Sequence, residues 1–198
     1  MSQQFNKRFY SVGEYYTIIR YAIKTIKYLI RGKKSGDLDK NFISRIMLAV
    51  TEVNGCQMCS YYHTSEALKN GISDEEISSL LTGNLSNTPT NESVAIFFAQ
   101  HYAELKGKPN RSAWNRLITT YGNKKAYAIL AATRVIMFGN VSGIALGAFK
   151  NRLSGNPVDK SSLGYELAIL LSTVVFIPMA LIHNLGDFIV KFFKKKVT

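Results

Sequence analysis

Cysteine is nearly absent: the 198 residues contain two, alongside three His, four Pro and one Trp. Two cysteines exclude a secreted scaffold held together by disulfides. A chain of this length buries roughly 70% of its unfolded surface, so one domain can fold without a disulfide or metal staple. Few prolines, with 46% hydrophobic and 12% aromatic residues, exclude a disordered or low-complexity chain. No stretch alternates apolar and polar residues with period two, which leaves no amphipathic strand. Acidic residues are scarce too, 13 against 25 Lys and Arg, for a net charge of +12. Such a surplus attracts phosphates. There is, however, no zinc finger, RNP box or GXXG loop, and no basic run interleaved with stacking aromatics, so no nucleic-acid partner is expected. An anionic membrane surface remains as a partner for the charge.

The charge is unevenly spread. Residues 1–34, 101–162 and the tail are basic, while residues 35–100 are acidic and contain both cysteines. Met1 to Tyr10 is polar and no small-residue cleavage site follows an apolar core, so a cytoplasmic start is expected. Three regions follow from the pattern: 1–35, a basic amphipathic helix; 36–155, the core; and 156–198, an apolar helical extension with a basic tail. In the first region Arg20, Lys24, Lys27 and Arg31 form one helical stripe beside Ile18, Ile19, Ala22, Ile23, Ile26, Leu29 and Ile30. That helix can pack on the domain or a neighbouring subunit, or lie on a membrane.

In the core, Asp37 or Asp39 can cap a helix that stops at Asn54-Gly55, and a second helix opens on the cysteines and ends near Asn70-Gly71. Ser73 to Glu76 reads as a capping box, and Thr88-Pro89 as another helix start. Helices are expected at about 90–106, 110–121, 124–138 and 141–152, with breaks at Gly107/Pro109, Gly122-Asn123 and Gly139-Asn140. The expected fold is all-α. From Leu167 to Gly186 no charged residue occurs, and Lys191 and Lys194 to Lys196 follow. Pro178, His183 and Asn184 interrupt this run. It suits a buried core or oligomer-interface helix, a peripheral membrane contact, or a span with its basic tail on the cytoplasmic side.

The chemistry-bearing group is Cys56, Cys59 and His63, a C-x-x-C-x-x-x-H pattern at a helix start. Its spacings of three, four and seven put all three side chains on one face. Only a thiolate attacks peroxides or disulfides, and a cysteine of ordinary pKa near 8.5 is only about 3% ionised at pH 7. A helix N-terminus and a neighbouring imidazole both raise that fraction, and a second thiol resolves the oxidised first one. Glu52, four residues before Cys56, can orient the imidazole if the helix break lets it face inward. Two other uses of the cysteines are a buried structural pair and zinc. Zinc needs further ligands, and only His101 and His183 are on offer. A thioredoxin-like use lacks its βαβ context.

The segment from Ile46 to His63, with Ala67 to Gly71 and the acidic stretch after it, closely resembles the core of the carboxymuconolactone decarboxylase superfamily, in its alkylhydroperoxidase D-like branch. Ala95 to Gln100 and Ile136 to Asn140 also resemble later helices of such proteins, so the likeness runs over roughly residues 36–150. It implies an alkylhydroperoxidase D-like helical bundle, here with extra N- and C-terminal helices, that assembles as a homo-oligomer, a trimer or hexamer. It also implies reduction of a hydroperoxide or disulfide substrate, with a dithiol protein as electron donor and no cofactor. In that branch the second cysteine, here Cys59, attacks, the first, here Cys56, resolves, and the histidine, here His63, belongs to the proton relay. Helix-dipole reasoning alone favours Cys56 as the thiolate. The branch usually carries a glutamate 12 residues before the first cysteine. Ser44 stands there in this chain, and Glu52 is the candidate to take over its role.

The expected function is therefore a thiol-dependent peroxidase or disulfide oxidoreductase with an antioxidant role, cytoplasmic and able to associate with membrane. Family members that decarboxylate the lactone generally lack the CxxC pair. Two alternatives stand beside the redox one: a non-redox family member acting by acid-base chemistry with His63, and a membrane-surface or oligomeric interaction protein.

Overall fold

The computed structural model describes residues 5–197, with side chains through Lys194. It has seven helices: α1 Val12–Ser35, α2 Lys40–Asn54, α3 Gln57–Lys69, α4 Asp74–Leu81, α5 Ser93–Glu104, α6 Arg111–Leu153 and α7 Leu163–Val197. No strand occurs among the described residues, so the fold is all-α as the pattern requires.

Six helix starts are fixed by a side chain that accepts a backbone N–H of the first turn. The capping residues are Ser11, Asp39, Cys56, Ser73, Asn110 and Ser162. At the start of α2 the capping residue is Asp39, which accepts from Phe42 N at 2.7 Å, while Asp37 accepts from the Ser35 hydroxyl and pairs with Lys124. The complete capping box is at α1, where Ser11 and Glu14 reciprocate. At α4 only half of the expected box forms. Ser73 accepts from Glu76 N, but the Glu76 carboxylate turns to Arg45 on α2, because a guanidinium is a stronger partner than a backbone amide.

Helix α6 is the central element and packs against α1, α2, α3, α5 and α7. Tyr15, Ile19, Ile46, Ile129, Met137 and Ile169 are fully buried in one core to which α1 and α7 both contribute. A second cluster, including Leu48, Ala67, Ile77, Leu80 and Ile96, fastens α3 and α4 to α2 and α5. Each such side chain adds roughly 1.5 to 3 kcal/mol by leaving water.

Three expectations are corrected. The break at Gly122 is present, with φ 71 and ψ 164, but the one expected at Gly139-Asn140 is not. The chain stays helical there, with Asn140 buried against Thr51 at 3.1 Å. Helix α5 begins at Ser93, after a turn in which Glu92 N donates to Pro89 O at 2.9 Å, so Pro89 opens a turn and not a helix. Finally, α7 continues through Pro178 and is not a buried core helix: only 17% of its apolar window is covered by the rest of the chain.

Candidate active site

The site is built at the α2–α3 junction. Gly55 closes α2 in the left-handed conformation (φ 71), a backbone shape that L side chains rarely adopt. The N-terminal segment crosses this turn. Asn6 N donates to Gly55 O at 2.7 Å, and a Cβ on Gly55 would lie 2.8 Å from the Lys7 backbone nitrogen. Tyr10 donates its hydroxyl to Asn54 Oδ1 at 2.5 Å, and Lys7 Nζ pairs with Glu52 Oε1 at 2.6 Å.

Beyond the turn, Cys56 caps α3, its Sγ accepting the Cys59 N–H at 3.2 Å. The two cysteines are joined by a disulfide, with Cα atoms 5.3 Å apart. Cys56 is fully buried, while Cys59 is half-buried. Cys59 Sγ is 3.6 Å from Gly139 O, to which its thiol would donate once reduced. Gly143 lies directly against both sulfurs: a Cβ there would be 2.7 Å from Cys56 Sγ and 2.8 Å from Cys59 Sγ. One turn further along α6, Gly147 faces Met58, with a Cβ at an ordinary 3.8 Å. Gly139, Gly143 and Gly147 thus form the floor on which the cysteine turn rests. Sequence reasoning took Gly139 only as a breaker and missed this stripe, whose signal was the spacing of four.

His63 follows Cys59 by one helical turn, half-buried, its ring edge-on to Tyr62 at 5.1 Å. Burial pushes its pKa down to about 4 against the opposing pull of Glu66, so the imidazole is neutral at pH 7. Glu52, expected next to that imidazole, has its carboxylate on Lys7 instead. Gly55 turns the chain between Glu52 and Cys56, so a spacing of four residues does not amount to one helical turn there. Ser44 is buried in α2, next to Arg45, whose guanidinium holds Glu76 and Glu92.

His101 and His183 stand elsewhere. His101 Nε2 accepts from Asn110 N at 3.5 Å, and His183 Nδ1 lies 2.9 Å from the Tyr16 hydroxyl. No group of three His, Cys, Asp or Glu suited to a metal occurs among the described residues. A cleft of about 490 Å³ on α3, lined by residues such as Phe5, Gln57, Tyr61 and Leu68, is on the flank opposite Cys59 and His63. Met58 and Tyr62, which flank Cys59 and His63 in sequence, are exposed. The arrangement offers a closed dithiol pair, one sulfur accessible and one enclosed, beside a neutral imidazole.

The family model of the carboxymuconolactone decarboxylase family matches residues 22–88, about a third of the chain. The match starts inside α1 and takes in α2, the cysteine turn, α3 and α4. Comparison with curated proteins and with solved structures gave no match.

Proposed function

We propose that this chain is a thiol-dependent peroxidase or disulfide oxidoreductase with an antioxidant role, in which Cys59 attacks and Cys56 resolves. The observation that carries this reading is the unequal burial of two bonded cysteines: a substrate can reach the half-buried Cys59, not the enclosed Cys56. The cysteine turn also falls within the matched residues 22–88.

In the reduced protein, His63 takes the Cys59 proton, directly or through a water, the thiolate that forms favouring the protonated ring. The Cys59 thiolate attacks the terminal oxygen of a hydroperoxide. An S–O bond forms, the O–O bond breaks, and the alkoxide leaves with the proton held by His63, giving an alcohol and a Cys59 sulfenic acid. Cys56 sulfur then displaces hydroxide from Cys59; the proton of Cys56 converts it to water and the disulfide closes. An external dithiol resets the pair by attacking Cys59 Sγ and is itself oxidised to a disulfide. Cys56 leaves as a thiolate, stabilised by the Cys59 N–H at the helix N-terminus, and low-pKa thiols leave fastest. The same N–H favours the thiolate at Cys56 over Cys59 in the resting dithiol, so access and not acidity makes Cys59 the attacker. A disulfide substrate would enter at the same sulfur.

The test is consumption of an organic hydroperoxide with dihydrolipoamide or dithiothreitol as donor. Wild type should turn over, Cys59→Ser should not, and His63→Gln should fall by about 10² or more. Undiminished turnover by a Cys56→Ser, Cys59→Ser double variant would instead support acid-base chemistry at His63.

A further inference from the structure

We propose that the outer face of α7 rests in the apolar layer of an anionic lipid bilayer, with a cationic cleft at its C-terminal end on the lipid headgroups. From Leu167 to Val190 the exposed positions of α7 include no Asp, Glu, Lys or Arg and one His, His183, and Leu171, Val174, Ile182, Leu185 and Phe188 are each 58 to 75% exposed. At 100° per residue the full set of exposed positions from Leu167 to Val190, His183 included, sweeps an arc of about 240° over a length of about 36 Å. A single partner helix covers a stripe of about 100°. An arc more than twice that width fits immersion in a medium better than contact with one helix of a second copy.

Apart from exposed His183, which lies against the Tyr16 hydroxyl, the polar residues of this stretch of α7 point the other way, into the protein. Glu166 is fully buried on Arg152 at 2.8 Å, and Thr173 meets the Tyr15 hydroxyl at 2.8 Å. Asn184 Nδ2 donates to Arg20 O at 3.0 Å, and Asp187 accepts from Arg20 and Lys24 at 2.8 and 2.9 Å. This inverts the pattern of a water-facing surface helix. It suits a helix whose outer side meets hydrocarbon and whose polar groups are turned toward partners inside.

The helix lies along the bilayer surface and does not cross it. Helix α1 is fastened alongside α7 from Tyr15 to Lys24, and Glu14, one residue before Tyr15, pairs with Lys106 of the protein body. Crossing would carry these ion pairs into hydrocarbon. Where the apolar face ends, Lys24, Lys27, Arg134 and Lys191 line a cleft of about 650 Å³ with Tyr28, Tyr127 and one carboxylate, Asp187, already paired with Arg20 and Lys24, which leaves the cleft an excess of positive charge. Cations with amphipathic aromatics at such a border match anionic headgroups. The redox chemistry plays no part in this attachment.

Flotation of the full-length protein with vesicles tests it, using phosphatidylcholine alone and phosphatidylcholine mixed with phosphatidylglycerol. The protein should float with the mixed vesicles at low salt, and less at high salt. Lys27→Gln and Lys191→Gln should each weaken partition about fivefold, the fold-change of about 1 kcal/mol per surface lysine. A Leu171→Asn, Ile182→Asn, Leu185→Asn variant should stay unbound while keeping its helical circular dichroism. Phe188→Trp in a Trp114→Phe background alters neither charge nor apolarity, and should show blue-shifted emission quenched by brominated lipid. Failure to float with mixed vesicles at low salt, or emission from the Phe188→Trp variant that brominated lipid leaves unquenched, would overturn the proposal. So would a dimer in sedimentation that the triple Asn variant abolishes while wild type ignores vesicles, which would give the face to a second copy.

Discussion

Gly143 and Cys56 touch so closely that the glycine's missing side chain is a requirement of the site: a Cβ at 143 would lie 2.7 Å from Cys56 Sγ. Cys59 Sγ would be 2.8 Å from the same atom, and neither sulfur of a closed disulfide can swing away. Gly143→Ala should therefore lower stability by about 1 to 3 kcal/mol, the usual cost of overpacking. Gly147→Ala is the control, since its Cβ meets Met58 at 3.8 Å. It should be neutral or stabilising by up to about 1 kcal/mol, because alanine favours a helix over glycine. Thermal unfolding of the oxidised proteins, at about 2 to 4 °C per kcal/mol, separates the two.

His63 makes the oxidised protein sensitive to acid. Its pKa is about 4 in the fold against 6.5 outside it, so between those values the unfolded chain binds the extra proton. Stability therefore falls as pH drops from about 6.5 toward 4, and this contribution is fully present above 6.5. The ring's partial exposure limits the effect to on the order of 1 to 2 kcal/mol. Urea unfolding at pH 7 and 4.5 should show a larger loss for wild type than for His63→Gln. Equal losses would mean the ring is solvated.

Arg45 joins three helices through charge. It is 8% exposed, 2.5 Å from Glu76 on α4, and 3.2 Å from both carboxylate oxygens of Glu92, itself 7% exposed, just before α5. Burial already raises the Glu92 pKa, and the guanidinium works against that rise. Arg45→Met leaves a buried carboxylate without its cation and should cost about 3 kcal/mol at pH 7. The penalty should shrink at pH 5, where Glu92 then takes up a proton. Denaturant midpoints for wild type and Arg45→Met at the two pH values test this. A penalty that grows on acidification would contradict it.

The parts of the fold that rest on local chemistry were legible in the sequence. Helix content, the Gly55 stop, an acidic cap at Asp37 or Asp39 and the grouping of Cys56, Cys59 and His63 at one helix start follow from propensity and spacing within a few residues. What was not legible depends on partners distant in the chain. Glu76 forms no full capping box because Arg45 claims it, and Glu52 faces Lys7, 45 residues away. Gly139 reads as a helix breaker locally, yet α6 stays helical there, with Asn140 held on Thr51, 89 residues away. In α7 the apolar run was visible, but its direction was not: only the contacts with α1 and α6 show that Glu166, Thr173 and Asn184 face inward.

The assignment of Cys59 as attacker and Cys56 as resolver is tested most directly by mass spectrometry of the reduced protein after one equivalent of organic hydroperoxide. Wild type should lose two hydrogens, confined to the peptide holding Cys56 and Cys59. Cys56→Ser should stop at a Cys59 sulfenic acid, one oxygen heavier and trapped by dimedone, while Cys59→Ser stays unmodified. A Cys59→Ser protein that consumes peroxide at the wild-type rate, or carries the dimedone adduct on Cys56, would contradict the account.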